Sequence, residues 1–190
     1  MIGCRKAPCH PILCIFAVMF KKIALYGLAY GSAATAMHLT YWYRDLYLTS
    51  SFGAVLPLLG NVVFTGLAVW QFLKHLKKDS DQPVNLGKAL FGSLLTSLLV
   101  AMCTIAGLQH VLKNEPGKIK AYTAVAMKHQ TARIEKEVKK EEQAAKIEEA
   151  KAYISKQLDP ISISVSQIQM CLSTGVVIAL LVFVRGGRNA

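Results

Sequence analysis

The sequence predicts an all-helical polytopic membrane protein: four transmembrane helices, with a long charged helical loop between the third and the fourth. Three observations lead there. Four windows contain no Asp, Glu, Lys or Arg: 21 residues between Lys22 and Arg44, 28 between Asp45 and Lys74, 24 between Lys88 and Lys113, and 25 between Asp159 and Arg185. About 20 mostly apolar residues cross the hydrocarbon of a bilayer as a helix. The 190-residue chain is 53% hydrophobic and only 17% charged, below the roughly 25% charge of a soluble domain. Between Lys118 and Gln157 there is no glycine or proline, and Ala, Glu, Lys and Gln dominate, a composition that favours helix. A soluble bundle would need a polar face on each apolar helix, and none of the four windows has one.

The net charge of +11 fits the flanks of membrane spans facing anionic lipid headgroups. No aromatic and basic interleaving of the kind that stacks nucleic acid bases is present, so the expected partner is the lipid bilayer and not nucleic acid.

At the amino-terminal end, Cys4, Cys9, His10 and Cys14 form C-x4-C-H-x3-C, a spacing foreign to structural zinc sites. "MFKKIALYGLAYG" from Met19 reads as a basic head before an apolar span. Residues 1–18 are therefore expected to be an unstructured upstream extension, with the four-helix domain covering 19–190. A cleaved signal ending at Ala34-Thr35-Ala36 is the weaker rival, because the aromatic cluster "YWY" that follows suits the outer end of a first span. The spans fall at about 23–43, 53–73, 89–112 and 163–184. Lys and Arg before the first span, after the second and after the fourth gather on one side if both termini are cytoplasmic. The loop from Lys113 to Asp159 weighs against this with eleven Lys and Arg.

The extramembrane helical segment, about 117–158, opens at Pro116-Gly117 and closes at Asp159-Pro160, where Pro160 disfavours helical geometry at the residue before it. Glu135 with Lys139 and Glu142 with Lys146 have the favourable i, i+4 order. Ile134, Val138, Ile147, Ala150, Ile154 and Leu158 recur at helical spacing, without a sustained heptad. Unbroken, the segment is a rod of about 60 Å; a bend or a hairpin fits the composition equally, and no residue marks the break. It reads as a solvated helix with its two ends resting near the membrane surface, or as a surface for a protein partner or for self-association through 118–157, with a disordered linker as the remaining alternative.

Ionisable groups inside a membrane are functional candidates, but the interiors of these windows hold no Asp, Glu, Lys or Arg. His38 stands in the outer third of the first span, Asn61 beside Gly60 in the second with Pro57 one turn earlier, and Gln167 and Gln169 early in the fourth. Interhelical hydrogen bonds are the expected role of each. Gly27 and Gly31 form a GxxxG pattern in the first span, and Ser93 and Ser97 a similar small pair in the third, both suited to close helix packing. No nucleophile with a base, no metal-ligand cluster and no phosphate loop is recognisable. The expectation is therefore no catalytic residue, no cofactor and no metal.

"VNLGKALFGSLLTSLL" from Val84 to Leu99, after a basic polar loop, and "NEPGKIKAY" after the third span resemble the uncharacterised bacterial four-span membrane proteins of domain-of-unknown-function family 4199. The resemblance covers about residues 19 to 188 and implies architecture, with no activity attached. The expected function is that of a non-enzymatic structural, assembly or interaction protein of the bacterial inner membrane, working through its extramembrane helix. The alternative is a small transporter or channel subunit.

Overall fold

The computed structural model describes residues 11–46, 51–78 and 85–187, with side chains described for 17–46, 56–78 and 85–185. Every element among them is helical: α1 (Pro11–Tyr43), α2 (Ser51–Lys78), α3 (Leu86–Asn114), α4 (Pro116–Glu137), α5 (Lys140–Gln157) and α6 (Pro160–Gly187). Helices α2 and α3 touch each other, and both pack against α1 and α6. These four make a bundle whose proximal end carries Met19 and Lys22 and whose distal end carries Asp45.

Among the described residues three helical stretches are long and apolar enough to cross a membrane: Leu56–Lys78, Leu86–Asn114 and Pro160–Arg185. The described part of the first helix, from residue 17, mixes His38 with tyrosines, glycines, serine and threonines and is not among them. The distribution of polarity points the same way as the lengths. Leu28, Leu58, Val63, Phe91, Met102 and Leu181 stand exposed, while His38, Asn61, Thr65, Ser93, Thr96, Ser97 and Thr104 are buried. Water penalises an outward apolar belt of this extent. Hydrocarbon favours it, with small and polar side chains turned inward.

Helix ends follow local chemistry. The Asn85 side chain accepts from the Lys88 N–H at 2.8 Å and opens α3. At α6 the Asp159 carboxylate accepts from the N–H groups of Ile161 and Ser162, at 3.1 and 2.9 Å. Pro160 fills the first helical position, where its missing N–H leaves nothing unpaired. Past the end of α1, Asp45 takes a left-handed conformation with φ 52°, which its short polar side chain tolerates better than most.

Several boundaries differ from the sequence expectation. Residues 11–18, expected in an unstructured extension, continue α1 from Pro11. Met19 is buried in a core with Ile23, Phe72 and Ala179. Residues 1–10 lie outside the described residues. Helix α2 passes uninterrupted through Pro57.

The charged segment divides at Val138 and Lys139, both extended (φ −116°, ψ 143° and φ −62°, ψ 143°). Gln143 secures the break by donating from Nε2 to the Val138 carbonyl at 2.9 Å and the Glu135 carbonyl at 3.3 Å. Helix α4 packs on α5. Gln109 near the end of α3 donates to the Pro160 carbonyl at 3.0 Å, so the chain leaves and returns at the same place. The result is a hairpin with arms of about 33 and 27 Å at 1.5 Å per residue. Ile134, Val138, Ile147, Ala150 and Leu158 are half-buried and Ile154 is buried. The break removes the expected pairing of Glu135 with Lys139, and Lys146 pairs with Glu149 at 2.7 Å in place of Glu142.

Close approach sets the bundle's geometry. A Cβ at Gly27 would lie 2.7 Å from the Leu99 Cβ, and one at Gly31 would lie 2.9 Å from the Cys103 Cβ and 3.2 Å from the Val100 Cα. Thr35, one turn further, packs on Gly107. Contacts rise together along both helices, so α1 and α3 are parallel. Gly175 of α6 meets Ser97, and Gln109 meets Ser164 at 3.4 Å, so α6 is antiparallel to α3. Replacing Gly31 with leucine overlaps the α3 backbone and is expected to cost about 1–3 kcal/mol, read as a lowered unfolding temperature in detergent. Gly66→Ala, whose Cβ would sit 3.8 Å from Ile178, is expected to leave that temperature unchanged or raise it slightly.

Candidate functional site

Three helices bring one polar side chain each to a common level near the distal third of the bundle. His38 of α1 is 3% exposed and Asn61 of α2 is 1% exposed. The His38 Nε2 lies 3.1 Å from the Asn61 Oδ1, and the Asn61 Nδ2 donates to the Gln167 Oε1 of α6. An amide oxygen can only accept, so the bond requires the His38 tautomer with hydrogen on Nε2. The amide then carries polarity onward, accepting on one side and donating on the other. In a dry interior such a chain holds helices together, because each group separated from its partner would face hydrocarbon. His38 and Asn61 lie 23 positions apart in the sequence, and Gln167 a further 106.

Below this level the core continues with small hydroxyls. Thr96 donates to the Gly92 carbonyl at 2.8 Å and Thr104 to the Val100 carbonyl at 3.0 Å, the usual way a threonine satisfies itself within a helix. The Thr65 hydroxyl lies beside the Cys171 thiol. Ser93 and Ser97, facing Gly175 of α6, have buried hydroxyls with no partner among the described residues. Residues of α2, α3 and α6 thus continue the polar line toward the proximal end.

The remaining candidates are scattered. Gly27 and Gly31 face α3, about three and two turns along α1 from His38. His110 is exposed and pairs with Asn114, whose Nδ2 is 3.1 Å from its Nδ1. Gln169 is exposed. Cys103 and Cys171 are free thiols on different helices, and no group of three or more His, Cys, Asp or Glu able to hold a metal occurs among the described residues. Cys4, Cys9 and His10 lie outside them.

Two clusters escaped the sequence reading, because nothing local announces contacts across dozens of residues. At the proximal end Lys22 donates to the His75 carbonyl at 2.9 Å, while the Tyr26 ring stacks on the His75 imidazole with centroids 5.4 Å apart. At the distal end the base of the hairpin is anchored to α1. Lys118 forms a 2.7 Å ion pair with Asp45, its ammonium lies 5.9 Å from the Tyr43 ring centre, and Trp42 meets Tyr122 with centroids 5.4 Å apart. Burial pushes the Tyr122 phenol above its ordinary pKa. Tyr41 and Trp42 consequently sit inside a cluster with Leu108 and Val111, where the outer end of a first span was expected. Further out the hairpin carries exposed pairs, Arg133 with Glu137 at 2.9 Å and Lys146 with Glu149. The hydrogen bond and charge of Glu149 hold Lys146 above its ordinary pKa.

Comparison with known proteins returns no matching family model, no matching curated protein and no matching solved structure.

A double-mutant cycle with His38→Ala and Asn61→Leu is expected to show a coupling of about 0.6 kcal/mol, and up to about 1.7, the range for hydrogen bonds between membrane helices. Unfolding in mixed micelles reads it, and additive losses would mean that the two side chains do not share a bond.

Proposed function

We propose that the chain is a multi-pass protein of the bacterial inner membrane. In this reading α1, α2, α3 and α6 are its four spans, both termini are cytoplasmic, and the α4–α5 hairpin is an extramembrane arm. The protein is then a non-enzymatic structural, assembly or interaction protein, contacting a protein partner or a second copy of itself through residues 118–157. One observation carries this reading: the arm buries Ile154 as its sole fully buried side chain, yet its base is held by Lys118, Tyr122 and the Asp159 cap. An arm anchored at the root and mixed in charge along its length is suited to presenting a surface. The resemblance to family 4199 adds architecture to this reading and no activity. A photo-crosslinking residue at exposed Lys140, by the turn, is expected to capture a discrete protein in intact cells, while one at exposed Leu67 captures lipid. Only lipid from position 140, or no adduct, would remove the arm as a contact surface.

A second reading, a small transporter or channel subunit, is supported by the polar line from His38, Asn61 and Gln167 to Thr65, Ser93 and Ser97. In that case purified protein in liposomes passes a small polar solute or ion, and Asn61→Leu lowers the flux at least about tenfold, the scale of losing roughly 1.4 kcal/mol of site stabilisation. Vesicles that stay tight with the unsubstituted protein would dismiss this second reading.

A further inference from the structure

The outward faces of α2 and α6 enclose an open groove of about 640 Å³. Gly66 and Ile178 form part of its floor, Trp70 and Leu181 its walls, and Lys77 and Arg185 stand at its proximal end. Among the described residues no acidic side chain lines it. Depth comes from the missing side chain at Gly66, where a Cβ would meet nothing nearer than Ile178 at 3.8 Å.

We infer that this groove binds an anionic phospholipid of the leaflet at the proximal end, with one acyl chain along α2 and α6 and the phosphate between Lys77 and Arg185. The inference rests on the membrane reading given above. Length supports it. From Val63 to Lys77 the helix rises about 21 Å at 1.5 Å per residue, which covers one leaflet of the roughly 30 Å hydrocarbon core and reaches the headgroup zone. Charge supports it independently: an apolar trough that ends in two cations is complementary to a molecule with an apolar tail and an anionic head. Arg185 brings a planar donor fork suited to phosphate oxygens. Lys74 lies 5.4 Å from the Trp70 ring centre and adds a third positive charge beside the same mouth, with the indole at the depth such rings prefer. A partner helix seated in the groove would cover both cations, and no acidic residue of this groove neutralises them.

Trp42 and Trp70 are the chain's two tryptophans, which makes the test direct. The full chain with Trp42→Phe is reconstituted in phosphatidylcholine vesicles, and Trp70 fluorescence is quenched with brominated phosphatidylglycerol or brominated phosphatidylcholine at equal mole fraction. Preferential quenching by the anionic lipid is expected, by about fivefold for each cation engaged. K77Q together with R185Q is expected to abolish the preference while leaving quenching by phosphatidylcholine in place. Gly66→Leu, which fills the floor, is expected to weaken quenching by both lipids. Equal quenching by the two lipids in the parent chain would overturn the headgroup site. Quenching by neither, from protein that floats with the vesicles, would overturn the groove as a lipid site and leave a covering protein in its place. Failure to float with vesicles would overturn the membrane reading itself and this inference with it.

Discussion

The bundle depends on how near α1 can come to α3. With no Cβ at Gly27 or Gly31, the two backbones meet at a distance that any larger side chain would forbid. Dispersion is the chief attraction available between helices in hydrocarbon, since lipid tails are as apolar as leucine. It falls off so steeply that a gap of an ångström forfeits much of it. Other contacts are arranged around that approach: Thr35 against Gly107 above it, and Ser97 against Gly175 on the face of α3 turned to α6. The His38–Asn61–Gln167 chain lies just past the level of Thr35 and Gly107, about two turns beyond Gly31 of α1. Small residues bring the helices together, and the hydrogen bonds then specify their register.

Much of this was legible in the sequence, for identifiable reasons. Charge-free windows mark α2, α3 and α6 because a long apolar run has few alternatives to a spanning or buried helix. Gly27 with Gly31 and Ser93 with Ser97 could be seen as packing residues since their spacing is the helix's own. Asp159-Pro160 announced the end of the charged segment, because proline disfavours helical geometry at the residue before it. The residues that become half-buried in the hairpin, Ile134, Val138, Ile147, Ala150 and Leu158, stood out by period as well.

What was not legible is the partner of each such residue. Asp45 with Lys118, Tyr26 with His75, and Gln109 with Pro160 join segments about 50 to 70 positions apart, and none carries a local signature. The break at Val138 and Lys139 was hidden for a different reason. No glycine or proline causes it; a glutamine side chain five residues later, Gln143, satisfies the carbonyls that the break exposes. Tyr41 and Trp42 are aromatic residues at a span end, where an interfacial belt is the common outcome. Here α4 folds against them and turns them into core. Residues 11–18, expected in an unstructured extension, are helical and continue α1 on the far side of Lys21 and Lys22.

Parallel pairing of α1 and α3 has an electrostatic consequence. Each helix carries a macrodipole with its positive pole at the amino terminus, so two parallel helices in contact set like poles side by side, in a medium that screens them poorly. Helices α2 and α6 run the other way, and each presents its negative carboxyl-terminal pole at the proximal end between those positive ones. The basic residues Lys74, Lys77, Lys78 and Arg185 gather at these two negative poles, the favourable place for cations. The glycine-lined pair is thus electrostatically incomplete by itself, and four helices are the smallest set in which its contact geometry and its dipoles are both accommodated.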